Sequence, residues 1–156
     1  YEYLMRIRYS NSFEVSYEVA EGCMDYRLPR LTLQPVVENS ITHGVAELEE
    51  ELGQIRVSVY KEPAYLCLCV WDNGRGMSAK KVHQLLEGRI RRHDDNTSIG
   101  LENVLTRLRL NFGDAVDISI ASTPGQFTQI IFKLPLDACT KCEDEEERND
   151  SGTDRG

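Results

Sequence analysis

Three segments of the chain carry side chains whose types and spacing could hold a charged ligand. The first is Leu31-Thr32-Leu33-Gln34-Pro35-Val36-Val37-Glu38-Asn39-Ser40-Ile41-Thr42-His43-Gly44. On a helical wheel of about 100° per residue, Leu33, Val37, Ile41 and Gly44 fall on one side, and Pro35, Asn39, Thr42 and His43 on the other. The first side predicts core. The second carries an amide and an imidazole four residues apart, although periodicity alone also describes a plain solvated helix. In the second segment, Asp72-Asn73-Gly74-Arg75-Gly76-Met77, an acid and two glycines stand where an apolar run meets a loop. Glycines there let backbone approach a ligand closely, and an ordinary turn has the same composition. The third, Ser98-Ile99-Gly100-Leu101-Glu102-Asn103-Val104, sets a glycine at the start of an amphipathic helix, whose free N–H groups could receive a phosphate. A capped helix is the plain alternative.

The elements that must position these residues follow from periodicity. Leu4, Met5, Ile7 and Tyr9 have no start signal before them and predict the end of a longer helix that begins upstream. Phe13, Val15, Tyr17 and Val19 alternate with polar residues, the period of a strand with one buried face. A helix is expected from Leu31 to His43, with Thr32 as N-cap, Pro35 in the first turn and Gly44 at its end. Ile55, Val57 and Val59 alternate as in an edge-like strand, whereas Tyr65 to Trp71 is apolar on both faces and reads as a central one. Ser78 caps a short helix to Leu86, closed by Gly88. Arg89 to Ser98 is nearly all polar and reads as a mobile loop. Leu101, Val104, Leu105, Leu108 and Phe112 mark an amphipathic helix that Gly113 can terminate. A hairpin follows, turning at Pro124-Gly125. Strands gathered into hairpins with helices between them argue for an α+β two-layer sandwich.

The chain has 156 residues, enough for one domain to bury a core, and a net charge of −8. Eight acids and three bases lie in residues 137 to 156, so this acidic, apolar-poor tail is expected to be disordered. A nucleic-acid partner is disfavoured, because phosphate backbones are held by basic stripes. No apolar run approaches the roughly 18 residues that cross a bilayer, and the first residues show no signal-peptide core, so the chain is expected to be soluble. Five cysteines, an odd count, fit a reduced setting better than a disulfide framework. Cys139 and Cys142 spell CxxC without a second ligand pair, which predicts a solvated tail rather than a zinc knuckle.

Taken in this order and spacing, the three segments resemble the ATP-binding domain of histidine kinases in the GHKL (Bergerat-fold) superfamily. Leu31 to Gly44 is similar to the N box of LytS/YesM-type sensor kinases, where LQPLVENAIKHG is typical. Asp72 to Gly76 resembles the G1 box and Ile99 to Leu108 the G2 region. The resemblance implies a mixed sheet with helices on one face and ATP beneath a lid formed by residues 73 to 98. It implies Asn39 on Mg²⁺ bridging the phosphates, Asp72 accepting from the adenine amino group, and Gly74 and Gly76 lining the adenine pocket. Ile99, Gly100 and Leu101 would open the helix that faces the phosphates, and His43 would touch ribose or phosphate. Residues 1–12 would end an upstream dimerisation helix, 13–136 would form the catalytic domain, and 137–156 the tail.

The sequence departs from that pattern at three places. Pro35 stands where hydrolytic relatives hold a general-base glutamate, which leaves Glu38, adjacent to Asn39 but about 100° round the helix, as the base candidate. Asn96 and Ser98 stand where glycines are usual. No histidine has a phosphoacceptor context: His43 is in the N box, and His83 and His93 are in the lid. The expected function is therefore transfer of the γ-phosphoryl group of ATP to a histidine on the chain's own upstream helix, for relay to a response regulator. The parent would be a membrane-bound homodimeric sensor with this domain in the cytoplasm. A degenerate nucleotide-sensing module and an ATP hydrolase are the alternatives.

Overall fold

The computed structural model describes residues 13–28, 32–46, 48, 51–88 and 99–139. The expected upstream helix end at residues 1–12, the loop 89–98 with His93, Asn96 and Ser98, and the tail from residue 140, with Cys142, lie outside these residues.

Five strands form one mixed sheet: β1 (Phe13–Val19), β2 (Gly53–Glu62), β3 (Tyr65–Asp72), β4 (Asp117–Thr123) and β5 (Phe127–Pro135). Their spatial order is β1-β2-β3-β5-β4. β1 runs parallel to β2, and the other pairings are antiparallel. A parallel pair needs a crossover, and the chain supplies it as α1 (Leu33–Asn39) followed by a π-helical turn, Ser40–Val45. The remaining helices are α2 (Ala79–Glu87) and α3 (Ile99–Phe112).

β3 is central, as its two-sided apolar run requires. Leu66, Leu68 and Val70 belong to the main core, and Cys67 and Cys69 are buried on the opposite face, where burial pushes both thiols up. The edge-like reading of β2 is corrected, since it lies between β1 and β3. Its alternation of buried Ile55 and Val57 with exposed Arg56 reflects a sheet with one open face, not a free edge. On the covered face, Val36, Val37 and Ile41 meet Leu85 of α2 and Leu101, Val104, Leu105 and Leu108 of α3 in one cluster with the strands. Each fully buried aliphatic side chain there contributes about 1.5–3 kcal/mol.

The local signals hold for α2 and α3. The Ser78 hydroxyl accepts the Lys81 N–H at 3.3 Å, and Gly88 closes α2 at φ +66°. α3 stops before Gly113, at φ +58°. They fail for α1. The α-helix begins at Leu33, Thr32 makes no side-chain capping bond, and Gly44 lies inside the π turn, closed by Ala46 N–H to Ile41 O at 2.9 Å, instead of ending the helix.

Cys139 belongs to the core and not to a solvated tail: it is buried, and burial raises its thiol pKa, with Asp137 adding to the effect. A short 3₁₀ turn at Leu136–Ala138 delivers it there. Cys139→Ser should therefore cost about 1–3 kcal/mol by burying a hydroxyl, lowering the melting temperature by several degrees. An unshifted melt would show that the residue makes no contribution to the fold.

Candidate functional site

β3 ends at Asp72, and its last residue turns inward against α1 and its π turn. The carboxylate is 2 % exposed, as is Ser40 beside it. The Ser40 hydroxyl donates to Asp72 Oδ2 at 2.8 Å, and the Gly74 N–H donates to Oδ1 at 3.0 Å. Burial pushes the Asp72 pKa up to about 6, and these two hydrogen bonds pull against that rise. Opposite Asp72 in the sheet register stands Thr128 of β5, also buried.

Close backbone approach explains the glycines. A Cβ on Gly44 would lie 2.8 Å from Asp72 Oδ1, and one on Gly74 would lie 2.2 Å from the Gly44 carbonyl carbon. The Arg75 N–H bonds to Gly44 O at 3.0 Å, which ties the loop after β3 to the π turn. Gly76 adopts φ +64° with no room for a Cβ, which would meet Thr123 O at 2.1 Å. Asn73 fixes the loop from the other side: its Oδ1 accepts the Gln54 N–H at 2.6 Å and its Nδ2 donates to Leu52 O at 3.1 Å.

Above Asp72 opens a cavity of about 250 Å³ lined by Asn39, His43, Gly44, Asp72, Arg75, Gly76, Met77, Ser78, Lys81, Leu85, Leu101 and Thr128. Five residues singled out from the sequence, Asn39, His43, Asp72, Gly76 and Leu101, thus share one cavity. Gly74 is not among its lining residues; it packs beneath Gly44 and gives its N–H to Asp72. Gly100 is exposed, with Pro35 nearest to its missing Cβ at 3.9 Å, and it does not line the cavity. Ile99 begins α3, and its side chain is outside the described set. Glu38 is not a lining residue, and its carboxylate accepts from Gln34 Nε2 at 2.8 Å.

Sequence reasoning missed Ser40, Thr128 and Lys81. Ser40 had a signal, since a serine falls on the apolar side of the wheel between Val36 and Gly44. Thr128 and Lys81 had none, because strand register and the seating of α2 decide their place.

A buried carboxylate with both oxygens accepting hydrogen bonds, an amide, an imidazole and two basic side chains surround a cavity with an apolar wall. That set can accept from a polar base and meet an anion. The family model of histidine kinase-, DNA gyrase B- and HSP90-like ATPases matches residues 24–138. The chain belongs to this family.

This ATPase domain is 30 % identical over 135 residues to the sensor histidine kinase BtsS of Escherichia coli, covering 86 % of the chain and 22 % of that protein. It is 28 % identical over 135 residues to the sensor histidine kinase YesM of Bacillus subtilis, with the same shares covered. The chain therefore spans about a fifth of the length of these relatives. A mycobacterial sensor histidine kinase structure, MprB, superposes with a TM-score of 0.55 at 21 % identity, covering 86 % of this chain and 90 % of that one. The catalytic domain of the histidine kinase ThkA does so at 0.58 and 14 % identity, over 85 % and 88 %. The fold of the ATPase domain is thus that of histidine kinase catalytic domains. No helix among the described residues is long and apolar enough to cross a membrane.

Proposed function

We propose that the domain binds ATP with Mg²⁺ in the Asp72 cavity and serves as the catalytic domain of a sensor histidine kinase. It would present the γ-phosphoryl group to a histidine on the parent chain's dimerisation helix, from which a response regulator takes it. The observation that carries the reading is Asp72, an inward-facing acceptor at the wall of a cavity whose other charged side chains are basic. In this reading Asp72 accepts a hydrogen bond from the adenine amino group, Gly76 and Met77 border the base, and His43 and Leu101 flank the ribose and phosphates. Gly74 shapes Asp72 from below, and Ile99 and Gly100 lead into the helix that closes the phosphate end.

Among the described residues no group of three or more His, Cys, Asp or Glu side chains could hold a metal ion. That fits a cation carried in by the nucleotide, since Mg²⁺ keeps water and phosphate ligands and needs only one or two protein oxygens. Asn39 supplies one such oxygen. Bound with ATP, Mg²⁺ neutralises phosphate charge, while the chain's own part is to position the nucleotide.

Two observations weigh against a hydrolase. Pro35 can accept no proton, and the Glu38 carboxylate is engaged by Gln34 instead of lining the cavity. The location expected of such a parent is the cell membrane, with this domain on the cytoplasmic side.

Titration of the domain with Mg-ATP should give saturable binding in the micromolar to millimolar range of ordinary substrate sites. The full-length parent should then pass labelled γ-phosphate to its own histidine. Binding without transfer would leave the nucleotide-sensing reading, and free phosphate release as the main product would favour hydrolysis.

A further inference from the structure

Both oxygens of Asp72 meet donors from the protein itself. The Gly74 N–H can only donate, so Oδ1 must accept it, and the Ser40 hydroxyl donates to Oδ2 at 2.8 Å. A proton on Oδ2 would turn the Ser40 hydroxyl from donor to acceptor, so the bond it donates favours the ionised carboxylate. Resting on the proposed ATP site, we infer that Ser40 is a positioning residue for base recognition: by donating to Oδ2 it favours Asp72 as an acceptor, so the cavity prefers a purine with an amino group over one with a carbonyl at that place.

Ser40 is buried and does not line the cavity, so it acts through Asp72 and not by touching the base. Its position is fixed from two sides. Its own N–H bonds back to Val36 O and Val37 O at the junction of α1 and the π turn, and the neighbouring Gly44 leaves space into which the Asp72 carboxylate fits. The other charged or titratable groups around the cavity are His43 on the π turn, Arg75 in the loop after β3 and Lys81 on α2. Ser40 and the Gly74 N–H are the groups that hydrogen-bond the carboxylate. With Ser40→Ala, Oδ2 loses its donor. It then carries a proton more readily and can donate it to a carbonyl oxygen.

The test compares ATP with inosine triphosphate, which replaces the adenine amino group by a carbonyl and puts a proton on the neighbouring N1; a change in the ratio between Ser40 variants reads the carboxylate's part, because the N1 difference is common to them all. Wild-type domain should prefer ATP by at least about tenfold. Ser40→Ala should cut that ratio by about tenfold or more near pH 6 and recover part of it near pH 8, where more of Asp72 is ionised. Ser40→Thr, which keeps the hydroxyl, should retain the wild-type ratio. Ser40→Cys, close in size and a weaker donor, should fall between, and it serves if the alanine variant does not fold. Equal weakening of both nucleotides with an unchanged ratio and an unchanged pH profile overturns the inference, because a merely structural serine would do that. A wild-type domain that binds ATP without preferring it also overturns the inference. One that binds neither nucleotide overturns the site itself.

Discussion

Asp72→Asn is expected to weaken ATP binding roughly ten- to a hundredfold while making the nucleotide-free domain more stable at neutral pH. The first effect is the loss of a charge-assisted acceptor, about 1.5–3 kcal/mol. The second comes from the raised pKa. Below the ordinary carboxylate value of 3.8, folded and unfolded chains both hold the Asp72 proton and the residue adds no pH dependence. As pH climbs toward about 6, the unfolded chain releases the proton while the folded one keeps it, so stability falls. Above that range the folded state carries the full penalty of a buried charge, a few kcal/mol. Asparagine removes it and can still accept from Gly74. The difference in melting temperature between variant and wild type should be small near pH 4 and widest above pH 6, which thermal melts across that window would record. A difference that shrinks with rising pH, or unchanged ATP affinity, would falsify the placement of Asp72.

Gly74→Ala should be among the most damaging single methyl groups in the domain. Its Cβ would sit 2.2–2.4 Å from three backbone atoms of Gly44, none of them the end of a flexible side chain. The loop and the π turn must part, which strains the Arg75–Gly44 and Gly74–Asp72 hydrogen bonds together. We expect a loss of about 3 kcal/mol or more in urea unfolding and no measurable ATP binding in native buffer. Gly125→Ala is the control: unlike Gly74 it has a positive φ, at +73°, but nothing lies within 4 Å of its added Cβ, so it meets only the left-handed strain of about 1–2 kcal/mol. Equal costs at the two positions would show that backbone contact with Gly44 is not what requires a glycine at 74.

The sequence made some of this legible and hid the rest for physical reasons. Leu101 to Phe112 and Tyr65 to Trp71 could be read because burial imposes a period on one and an unbroken apolar run on the other. Asn39, His43 and Asp72 stood out as polar groups beside core elements, and the structure brings them to one cavity. The π turn left no local mark. It is a tertiary adjustment that seats Gly44 against Asp72, and helical periodicity assumes a constant pitch that the turn breaks. Ser40 was hidden in plain view, since its partner is a residue on another element. The seat of Cys139 was obscured by the acidic residues that follow it, because composition averages over a boundary that packing sets residue by residue.

The meeting of Asp72 with Thr128 exists only when β3 pairs with β5, and α2, α3 and β4 all lie between them in sequence. The parallel pairing of β1 with β2 likewise spans α1 and the π turn. Such non-local pairings must meet the entropy of closing long loops before any contact rewards them, which slows folding relative to a helical bundle of the same size. On a ribosome the wall of the cavity is therefore incomplete until β5 has emerged, and a chain released earlier holds the asparagine and the aspartate but has no finished pocket between them.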